Sequence, residues 1–315
     1  YCNGESEIIV GQALKGWRDK VYLSTKNPIE DASGEHYRAR LERSLKKLDV
    51  DYIDFYHFWG INLKTFEESI DVPDGPLSAA IKAKEEGLIK HISFSFHDDP
   101  QNLLKLIDTG VFESVLCQYN LLDRSNEAGI AYAKEKGLGV VIMGPVGGGR
   151  LGAPSDVIKG LLKGKVKSSA EIALRFVLAN PGVCVALSGM SSIEMVEENA
   201  RTASNETQLS AEEVAMINEA MEENRRLAEL YCTGCNYCMP CPNEVNIPLN
   251  FRLMNYHRVY GLTEYARQEY SRIGTNDWLK GKKAEECIEC GICEEKCPQR
   301  LKIREQLRET AKALG

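Results

Sequence analysis

Short hydrophobic runs alternate with segments of helical periodicity over roughly the first 200 residues of the chain. Six of these runs are rich in β-branched and aromatic residues and predict strands. They are residues 20–25, 52–58, 90–95, 114–118, 139–143 and 183–187. The predicted helix between the first two strands has an apolar face made of Tyr37, Leu41, Ser44, Leu45 and Leu48. Strands that alternate with amphipathic helices predict βα units around a parallel sheet.

A different pattern follows the last predicted strand. Ser210 and Glu213 have the spacing of a capping box, which predicts that a helix begins there. The apolar face of this helix contains Val214, Ile217, Met221 and Leu227 and leads to a cysteine-rich segment. We therefore predict a domain boundary near residue 225, with domains at 1–225 and 226–315. We identify no internal repeat.

The bulk composition restricts the partners of the chain. The 315 residues are 43% hydrophobic and 27% charged, which suits one large and one small globular domain. A formal charge of −7 and a pI near 5.5 argue against nucleic acid and anionic membranes as partners. The sequence shows neither a membrane-spanning run nor a leader peptide, and we expect a reducing, cytoplasmic setting.

Eight of the eleven cysteines lie in two compact runs. The ligands that these runs predict are Cys232, Cys235, Cys238, Cys241, Cys287, Cys290, Cys293 and Cys297. Disulfides would make strained small loops at this spacing. The second run has the C-x2-C-x2-C-x3-C-P pattern of bacterial 4Fe-4S ferredoxins, whereas zinc ribbons separate two C-x2-C pairs by a longer loop. The spacing therefore favours iron-sulfur clusters over zinc.

The fourth cysteine of each run ligates the other cluster in two-cluster ferredoxins. By that rule Cys297 joins the first three cysteines of the first run, and Cys241 joins Cys287, Cys290 and Cys293. The first run has two residues before its last cysteine where the pattern has three, so a single cluster is the alternative to two. The link between the runs has helical periodicity, which predicts a small α-helical ferredoxin-like domain. We interpret Cys2, Cys117 and Cys184 as small buried apolar residues.

Several motifs in residues 1 to about 205 resemble those of the aldo-keto reductases, and the cysteine-rich tail resembles the iron-sulfur branch of that family. The motifs are Tyr-x3-Glu-Ser-Glu (1–7), Gly-Gln-Ala-Leu (11–14), Arg-Asp-Lys-Val (18–21), Ser-Thr-Lys (24–26), Leu-x2-Ser-Leu (41–45), Asp-Tyr-Ile-Asp (51–54), Gln-Tyr-Asn (118–120) and Glu-Glu-Asn (197–199). The resemblance implies a (β/α)8 TIM barrel whose first two βα units are absent from this chain. We expect some 40 to 60 further residues before Tyr1, from two βα units of ~30 residues each less one helix.

The resemblance also implies a catalytic site. Tyr1 matches the family's proton donor, and Lys26 matches the buried lysine that lowers the pKa of that tyrosine. Trp59 stands where the family has a histidine, and His57 lies two residues earlier on the same strand face. Either Trp59 walls the substrate pocket while His57 is a core residue, or His57 reaches the chemistry through a water molecule.

The cofactor that the resemblance implies is NADPH, with NADH as the alternative. The matching positions are Ser95, Gln118, Met143, Gly144, Gly189, Ser191, Ser192, Glu198 and Asn199. Ser95 and Gln118 match residues that hold the nicotinamide carboxamide, and Met143 replaces a stacking tyrosine. The 144–149 loop is rich in glycine and suits a pyrophosphate. No lysine or arginine lies in the turn at residues 189–192 to bind a 2′-phosphate, so the preference for NADPH is the family's.

The resemblance favours an oxidoreductase that acts on a small carbonyl compound. Nicotinamides transfer electron pairs as hydride whereas clusters accept single electrons, and the sequence shows no flavin fingerprint. We therefore expect the clusters to serve an external electron-transfer protein or the structure. The alternative function is an iron-sulfur electron carrier or docking subunit whose barrel has lost catalysis. A zinc scaffold is the remaining interpretation.

Overall fold

The computed structural model describes residues 1, 4–147, 149–152, 155–162, 166–204, 209–229, 232, 236–276, 278–297 and 300–315. The chain divides into two compact units. The first unit, Tyr1–Pro145 with Asn180–Gly189, is called here the sheet unit. The second unit, Val146–Ala179 with Met190–Gly315, is the helical unit, and its part from Cys232 to Gly315 is called the cysteine module.

The sheet unit is built on a parallel sheet of six strands in the order β1 to β6. The strands are β1 Ser24–Pro28, β2 Ile53–Ile61, β3 Ile89–Phe96, β4 Ser114–Gln118, β5 Gly139–Met143 and β6 Val185–Ala186. Consecutive strands pair in chain order, so each connection crosses over between parallel neighbours, as βα units require. The sequence pattern predicted all six strands, and the parallel βα architecture is confirmed.

The first strand begins later than its hydrophobic pattern predicts. Residues Arg18–Lys20 form a 3₁₀ turn, and pairing starts only where Ser24 lies beside Phe55. The N–H of Leu23 donates to the Asp54 carboxylate at 2.8 Å, and the same carboxylate accepts from Arg18 at 2.8 Å. Because the Asp54 side chain takes the Leu23 N–H, regular pairing with β2 begins at the next residue, Ser24. Strand β1 also ends later than the predicted strand at 20–25, so Lys26 is the third of its five residues.

Helices alternate with the strands in the sheet unit, beginning with one helix before β1. They are α1 Ser6–Ala13, α2 Gly34–Leu48, α3 Leu63–Thr65 with a π turn at Phe66–Ile70, α4 Pro76–Glu85, α5 Pro100–Asp108 and α6 Glu127–Glu135. The predicted face of α2 buries Tyr37, Leu41, Ser44 and Leu48, while Leu45 is half-buried. The hydroxyl of Ser33 caps the start of α2 by accepting from the N–H of His36. The helix ends at Asp49, whose φ of 54° is in the left-handed region.

The helical unit contains the remaining helices. They are α7 Asp156–Gly160, α8 Ser169–Ala179, α9 Ile193–Ser204, α10 Ala211–Glu229, α11 Ile247–Arg258, α12 Thr263–Ser271, α13 Ile292–Glu295 and α14 Ile303–Leu314. The predicted capping box is confirmed, because Glu213 N–H donates to the Ser210 hydroxyl at 3.2 Å and Ser210 N–H donates to the Glu213 carboxylate at 3.0 Å. Helix α10 continues past residue 225, and the domain boundary there stays a prediction. In the described part of the chain, no helix combines the length and apolarity that a bilayer crossing needs.

Candidate active site and cysteine runs

Polar side chains occupy paired positions on the first three strands. Lys26 lies beside His57 in the ladder between β1 and β2, and His57 lies beside Ser93 in the ladder between β2 and β3. Residues paired in this way point to the same face of a sheet. His57 is 2% exposed and Trp59 is 38% exposed, so the environment changes from buried to open toward the end of β2. Strand β2 therefore leads from the sheet interior at His57 toward the carboxyl edge of the sheet at Trp59.

Tyr1, Lys26 and Trp59 meet at this edge. The rings of Tyr1 and Trp59 are 4.8 Å apart between centroids, and the Lys26 ammonium lies 5.4 Å from the Tyr1 centroid. All three line a cavity of about 230 Å³ that also contacts Arg40 and Arg43. The structure thus brings together three of the four residues that the resemblance proposed as catalytic.

The electrostatics of Tyr1 differ from the expectation. Partial burial raises the pKa of the Tyr1 hydroxyl above its usual value, and burial lowers the pKa of the Lys26 ammonium. The lysine lies over the ring at 5.4 Å from its centroid, and the net direction of the tyrosine pKa is upward, opposite to the direction predicted. The Tyr1 hydroxyl therefore holds its proton at neutral pH, as a proton donor must.

His57 is a buried neutral histidine. Desolvation, followed by the charge of Lys26, lowers its pKa from 6.5 to about 4, against a hydrogen bond to the backbone of Phe94. Its Nδ1 atom is buried without a hydrogen-bond partner among the described residues. The sequence left open whether His57 is a core residue or reaches the chemistry, and that choice stays a prediction.

Another histidine at this edge was missed in the sequence. His97 directly follows β3, two residues after Ser95, and its ring lies beside Gly60: a Cβ built on Gly60 would be 3.8 Å from His97 Cδ2. Its backbone N–H donates to the Ile61 carbonyl at 3.4 Å. The signal that was available is the period of two along β3, which places residues 93, 95 and 97 on one face.

The predicted nicotinamide residues form a second group on the sheet unit. The Ser95 hydroxyl accepts from Gly60 N–H at 2.7 Å and keeps its own O–H to donate. Gly144, at a φ of 63°, packs so closely on Gln118 that a Cβ would lie 2.7 Å from both amide atoms of that side chain. Met143 is partly exposed at the end of β5. Ser95, Gln118 and Met143 thus lie near the carboxyl ends of three neighbouring strands, and their roles in binding an amide ligand stay predictions.

The positions predicted to bind the adenosine half lie near the start of α9. Gly189 is the last residue of the sheet unit, whereas Ser191, Ser192, Glu198 and Asn199 belong to the helical unit. The Ser192 hydroxyl caps α9 by accepting from Met195 N–H at 3.3 Å, and the Glu198 carboxylate accepts from the Ser168 hydroxyl. Glu198 therefore already has a protein partner. In the 144–149 loop, Gly148 is outside the described residues.

Seven of the eight predicted ligand cysteines are described, and Cys235 lies outside the described residues. None of the seven forms a disulfide. Cys293 is part of the buried core of the cysteine module, and five others pack against that core: Cys232, Cys238, Cys241, Cys287 and Cys297. Burial and the charges of Glu294, Cys287 and Cys290 raise the pKa of Cys293, so the first three cysteines of the second run are neighbours. Reduced thiols gathered on one core suit the soft-ligand chemistry of iron-sulfur clusters.

The two runs are tied to each other and continue in the same way. The Asn243 side chain donates to the Glu286 carbonyl at 2.5 Å, which joins the end of the first run to the start of the second. The third residue after the last cysteine of each run has a positive φ, 61° at Glu244 and 53° at Arg300. Each of these two residues donates its N–H to the carbonyl of the last cysteine of its run, at 2.9 and 3.0 Å. Helices α11 and α14 then begin at equivalent isoleucines.

This repeat was missed in the sequence because it covers only seven residues and few of the side chains are identical.

No three potential ligands among the described residues are close enough to hold one metal ion. Of the three cysteines outside the runs, Cys117 is buried as predicted, Cys184 is exposed against the prediction, and Cys2 lies outside the described residues.

Comparison with known proteins gives the two regions separate relatives. Residues 1–222 match the model of the aldo/keto reductase family, and residues 231–302 match that of a 4Fe-4S dicluster domain. An uncharacterized oxidoreductase of Bacillus subtilis, YqkF, is 28% identical over 71% of this chain and 81% of its own. The methylglyoxal reductase YeaE of Escherichia coli is 30% identical over 70% of this chain and 76% of its own.

Solved structures agree with the sequence relatives. The holo form of an aldo-keto reductase from Bacillus halodurans superposes with a TM-score of 0.58 at 30% identity, covering 68% of this chain and 76% of that chain. An aldo-keto reductase from Klebsiella pneumoniae in complex with NADP and acetate gives a TM-score of 0.57 at 28% identity, covering 70% of this chain and 76% of that chain.

Proposed function

Because the chain belongs to the aldo-keto reductase family, with a 4Fe-4S dicluster region after its reductase region, we propose that it reduces a carbonyl compound with NADPH. The observation that supports this most directly is the meeting of Tyr1, Lys26 and Trp59 beside one cavity next to β1, with Trp59 near the carboxyl end of β2. Carboxyl edges of parallel strands are where α/β enzymes place their chemistry.

The side chains would divide the work as follows. Tyr1 donates its proton to the carbonyl oxygen, since burial keeps that hydroxyl protonated. The Lys26 ammonium provides a fixed positive charge close to the oxygen as negative charge develops there. Trp59 packs against Tyr1 and walls the cavity, while His57 supports Lys26 from the interior. When bound, the nicotinamide supplies the hydride for the carbonyl carbon.

The sheet unit would hold the nicotinamide through Ser95, Gln118, Met143 and Gly144. Gly144 supports this assignment because any side chain there would collide with the Gln118 amide. The aldo-keto reductase from Klebsiella pneumoniae has NADP bound in its solved structure, which favours NADPH over NADH. In the helical unit, Ser191, Ser192, Glu198 and Asn199 would contribute to the adenosine half of the cofactor site, together with Gly189.

The cysteine module would carry two 4Fe-4S clusters, with a single cluster as the alternative. The tie between Asn243 and Glu286 supports the exchange of the fourth ligands, because it brings the end of one run next to the start of the other. The clusters would serve an external one-electron protein or the structure. Thiols that must remain free for iron suit a reducing compartment, and we place the protein in the cytoplasm. We also retain the division into a reductase domain, 1–225, and an iron-sulfur domain, 226–315.

The test is anaerobic NADPH oxidation by the full chain across a panel of aldehydes and ketones, including methylglyoxal, with the Lys26→Met variant beside it. We expect turnover by the wild type, and a loss of kcat on the order of 100-fold or more in the variant, because an electrostatic group at the oxyanion is removed. The matched control is Lys90→Met. Lys90 also lies over a tyrosine ring, that of Tyr52 at 4.7 Å, but near the amino end of β3.

We expect Lys90→Met to stay within about twofold of the wild type, as is usual for a surface substitution away from the site. Equal effects of the two lysine substitutions would contradict the assignment of Lys26. Wild-type protein that turns over no carbonyl compound on the panel would contradict the proposed reaction and return weight to the electron-carrier alternative.

A further inference from the structure

His97 stands where three parallel strands end together. Strand β3 ends at Phe96, whose neighbour in the ladder is Ile61, the last residue of β2. Lys26 lies two residues before the end of β1. Parallel strands share their direction, so the residues that follow them emerge at the same edge of the sheet. His97 therefore lies at the edge that carries the proposed chemistry.

Among the described residues, His97 is the only histidine whose ring makes no hydrogen bond or ion pair. His36 contacts Asp31 at 2.7 Å, His91 contacts Glu113 at 2.9 Å, and His257 contacts Thr263 at 2.9 Å. His57 is hydrogen-bonded to the backbone of Phe94. Across the described ranges no hydrogen bond or ion pair engages the His97 imidazole. It is a polar ring that is available to a ligand.

The neighbours of this ring fix its place. Gly60 lies against it, and the N–H of Gly60 is held by the Ser95 hydroxyl at 2.7 Å. Gly60 has a φ of 62°, a conformation that suits glycine, and it directly follows Trp59. The irregular segment of β2 between Phe58 and Ile61, which contains Trp59 and Gly60, is thus the segment beside which the imidazole lies.

The charge of this ring is also defined. Partial burial, followed by the positive charge of Lys26, lowers the pKa of His97. The ring is therefore neutral at physiological pH and has one N–H to donate and one nitrogen to accept. A neutral donor near an ammonium suits an oxygen that gains negative charge.

We propose that His97 donates a hydrogen bond to the carbonyl oxygen of the substrate. It would thereby take the role of the family's histidine, whose position is occupied here by Trp59. This inference rests on the proposed function. The hydride is added to the carbonyl carbon as the C=O π bond breaks, the Tyr1 proton is transferred to the oxygen, and the product is an alcohol. His97 keeps its proton throughout, so neither electrons nor atoms pass through the imidazole.

The first experiment compares turnover in three variants. His97→Ala removes the donor and should lower kcat on the order of 100-fold, with the affinity for NADPH and the unfolding temperature unchanged. His97→Gln retains an N–H donor and should recover most of that loss. His91→Gln is the matched control, because His91 lies on the same strand and its ring is paired with Glu113. Wild-type kcat in His97→Ala, or an equal loss in His97→Gln, would overturn the proposal.

A second experiment separates this proposal from the proposed function. Acetate is titrated into the protein with NADP⁺ bound, and tryptophan fluorescence reports its binding. A carboxylate oxygen resembles the charged carbonyl oxygen, so we expect acetate to bind about tenfold more weakly to His97→Ala, the cost of one charge-assisted hydrogen bond.

Each combination of results has its own meaning. Acetate binding that depends on His97, in a protein that reduces no carbonyl compound, would overturn the reaction but keep the oxyanion site. If turnover and acetate binding are both unchanged in His97→Ala, the role of His97 would be overturned but the reaction would stand. Absence of both turnover and acetate binding would overturn both.

Discussion

The sheet unit and the cysteine module place their functional groups differently with respect to their cores. In the sheet unit, Tyr1 and Trp59 are exposed at an edge, above a core of aliphatic and aromatic residues that is complete without them. In the cysteine module, Cys293 belongs to the core, and five further predicted ligands pack against it. In one region the site is added to the fold, and in the other the site is part of the fold.

This difference has a thermodynamic consequence. A ligand that binds at the edge of a complete core adds to stability by mass action but does not create the fold. A cluster bound by core residues contributes its binding free energy to folding, because no preformed site exists in the unfolded chain. We therefore expect the two regions to respond in opposite ways to the loss of their cofactors.

The largest effect is expected from replacing a buried ligand. Cys293→Ala should release one cluster, about four iron atoms per chain, and should unfold the cysteine module while the sheet unit stays folded. The matched control is Cys117→Ala, since Cys117 is also buried but lies on β4. That variant should keep all its iron and lose about 1 kcal/mol of stability to a small cavity. Iron analysis and limited proteolysis measure both effects.

Unchanged iron in Cys293→Ala would contradict its assignment as a ligand. Iron loss with a protease-resistant module would contradict the more general point, that the clusters hold this region together.

The next effect concerns His57, a buried titratable side chain of the sheet unit. The pKa of His57 falls from 6.5 to about 4 on folding. Below pH 6.5 His57 is protonated in the unfolded chain but stays neutral in the native sheet unit. The free energy of unfolding therefore decreases as the pH falls from 6.5 toward 4. The full difference is about 3 kcal/mol at about 1.4 kcal/mol per pKa unit. His57→Gln should flatten this part of the profile.

Denaturant unfolding of the sheet unit at several pH values measures it. Because acid also releases iron, the informative quantity is the difference between wild type and variant, in which effects on the clusters cancel. Parallel profiles for the two proteins would show that His57 is protonated in the native state, and it would then be open to water and not a core residue.

The same contrast explains what the sequence could predict. The sheet unit repeats a regular pattern, so periodicity located all six strands and the buried face of α2. It failed at β1, because the choice of Asp54 as partner for Leu23 N–H depends on a residue 31 positions away. The module was predicted from its cysteines, whose spacing is chemical information, but its Cys-Pro repeat is a backbone feature carried by φ angles at Glu244 and Arg300.

His97 shows a third limit. Its residue type and its place on the strand face were visible, but its lack of a partner was not, because that property depends on every neighbouring element. By contrast, the resemblance supplied Tyr1, Lys26 and Trp59 through motifs, and the structure then placed them beside one cavity. Motifs located the residues that keep a role in the family, and only the structure located a residue that differs from it.

A smaller effect tests whether the edge of the sheet unit is as closely packed as a core. Gly144→Ala puts a methyl group 2.7 Å from the Gln118 amide at a positive φ, whereas Gly137→Ala adds one at a φ of 79° with nothing within 4 Å. Both variants lose about 1 kcal/mol to backbone strain. The additional loss in Gly144→Ala, about 1–2 kcal/mol for overpacking, should be accompanied by weaker NADPH binding. Thermal unfolding and fluorescence titration measure the two effects, and equal losses would show that Gln118 moves aside freely.

The smallest effect compares one carboxylate from each region. Glu113 accepts from Ile92 N–H and contacts Lys84 and His91 in the sheet unit, and Glu294 accepts from both the N–H and the guanidinium of Arg304 in the module. Partial burial opposes ionisation of Glu113, but its hydrogen bonds with Lys84, His91 and Ile92 leave its pKa below 4.5. Its stabilisation is therefore present above the unfolded pKa and is lost as the pH falls through the folded value.

Because Glu113 is 37% exposed, solvent screens these contacts, and Glu113→Gln should cost less than about 1 kcal/mol at pH 7. That cost should begin to fall near the usual pKa of a glutamate and be lost once the pH is below the lower, folded pKa of Glu113. Glu294→Gln is the matched substitution in the module. We expect the clusters to set the stability there, so its cost at pH 7 should be smaller still. Denaturant unfolding of both variants at pH 7 tests this order, and a larger loss from Glu294→Gln would mean that side-chain contacts, and not the cysteine ligands, hold the module together.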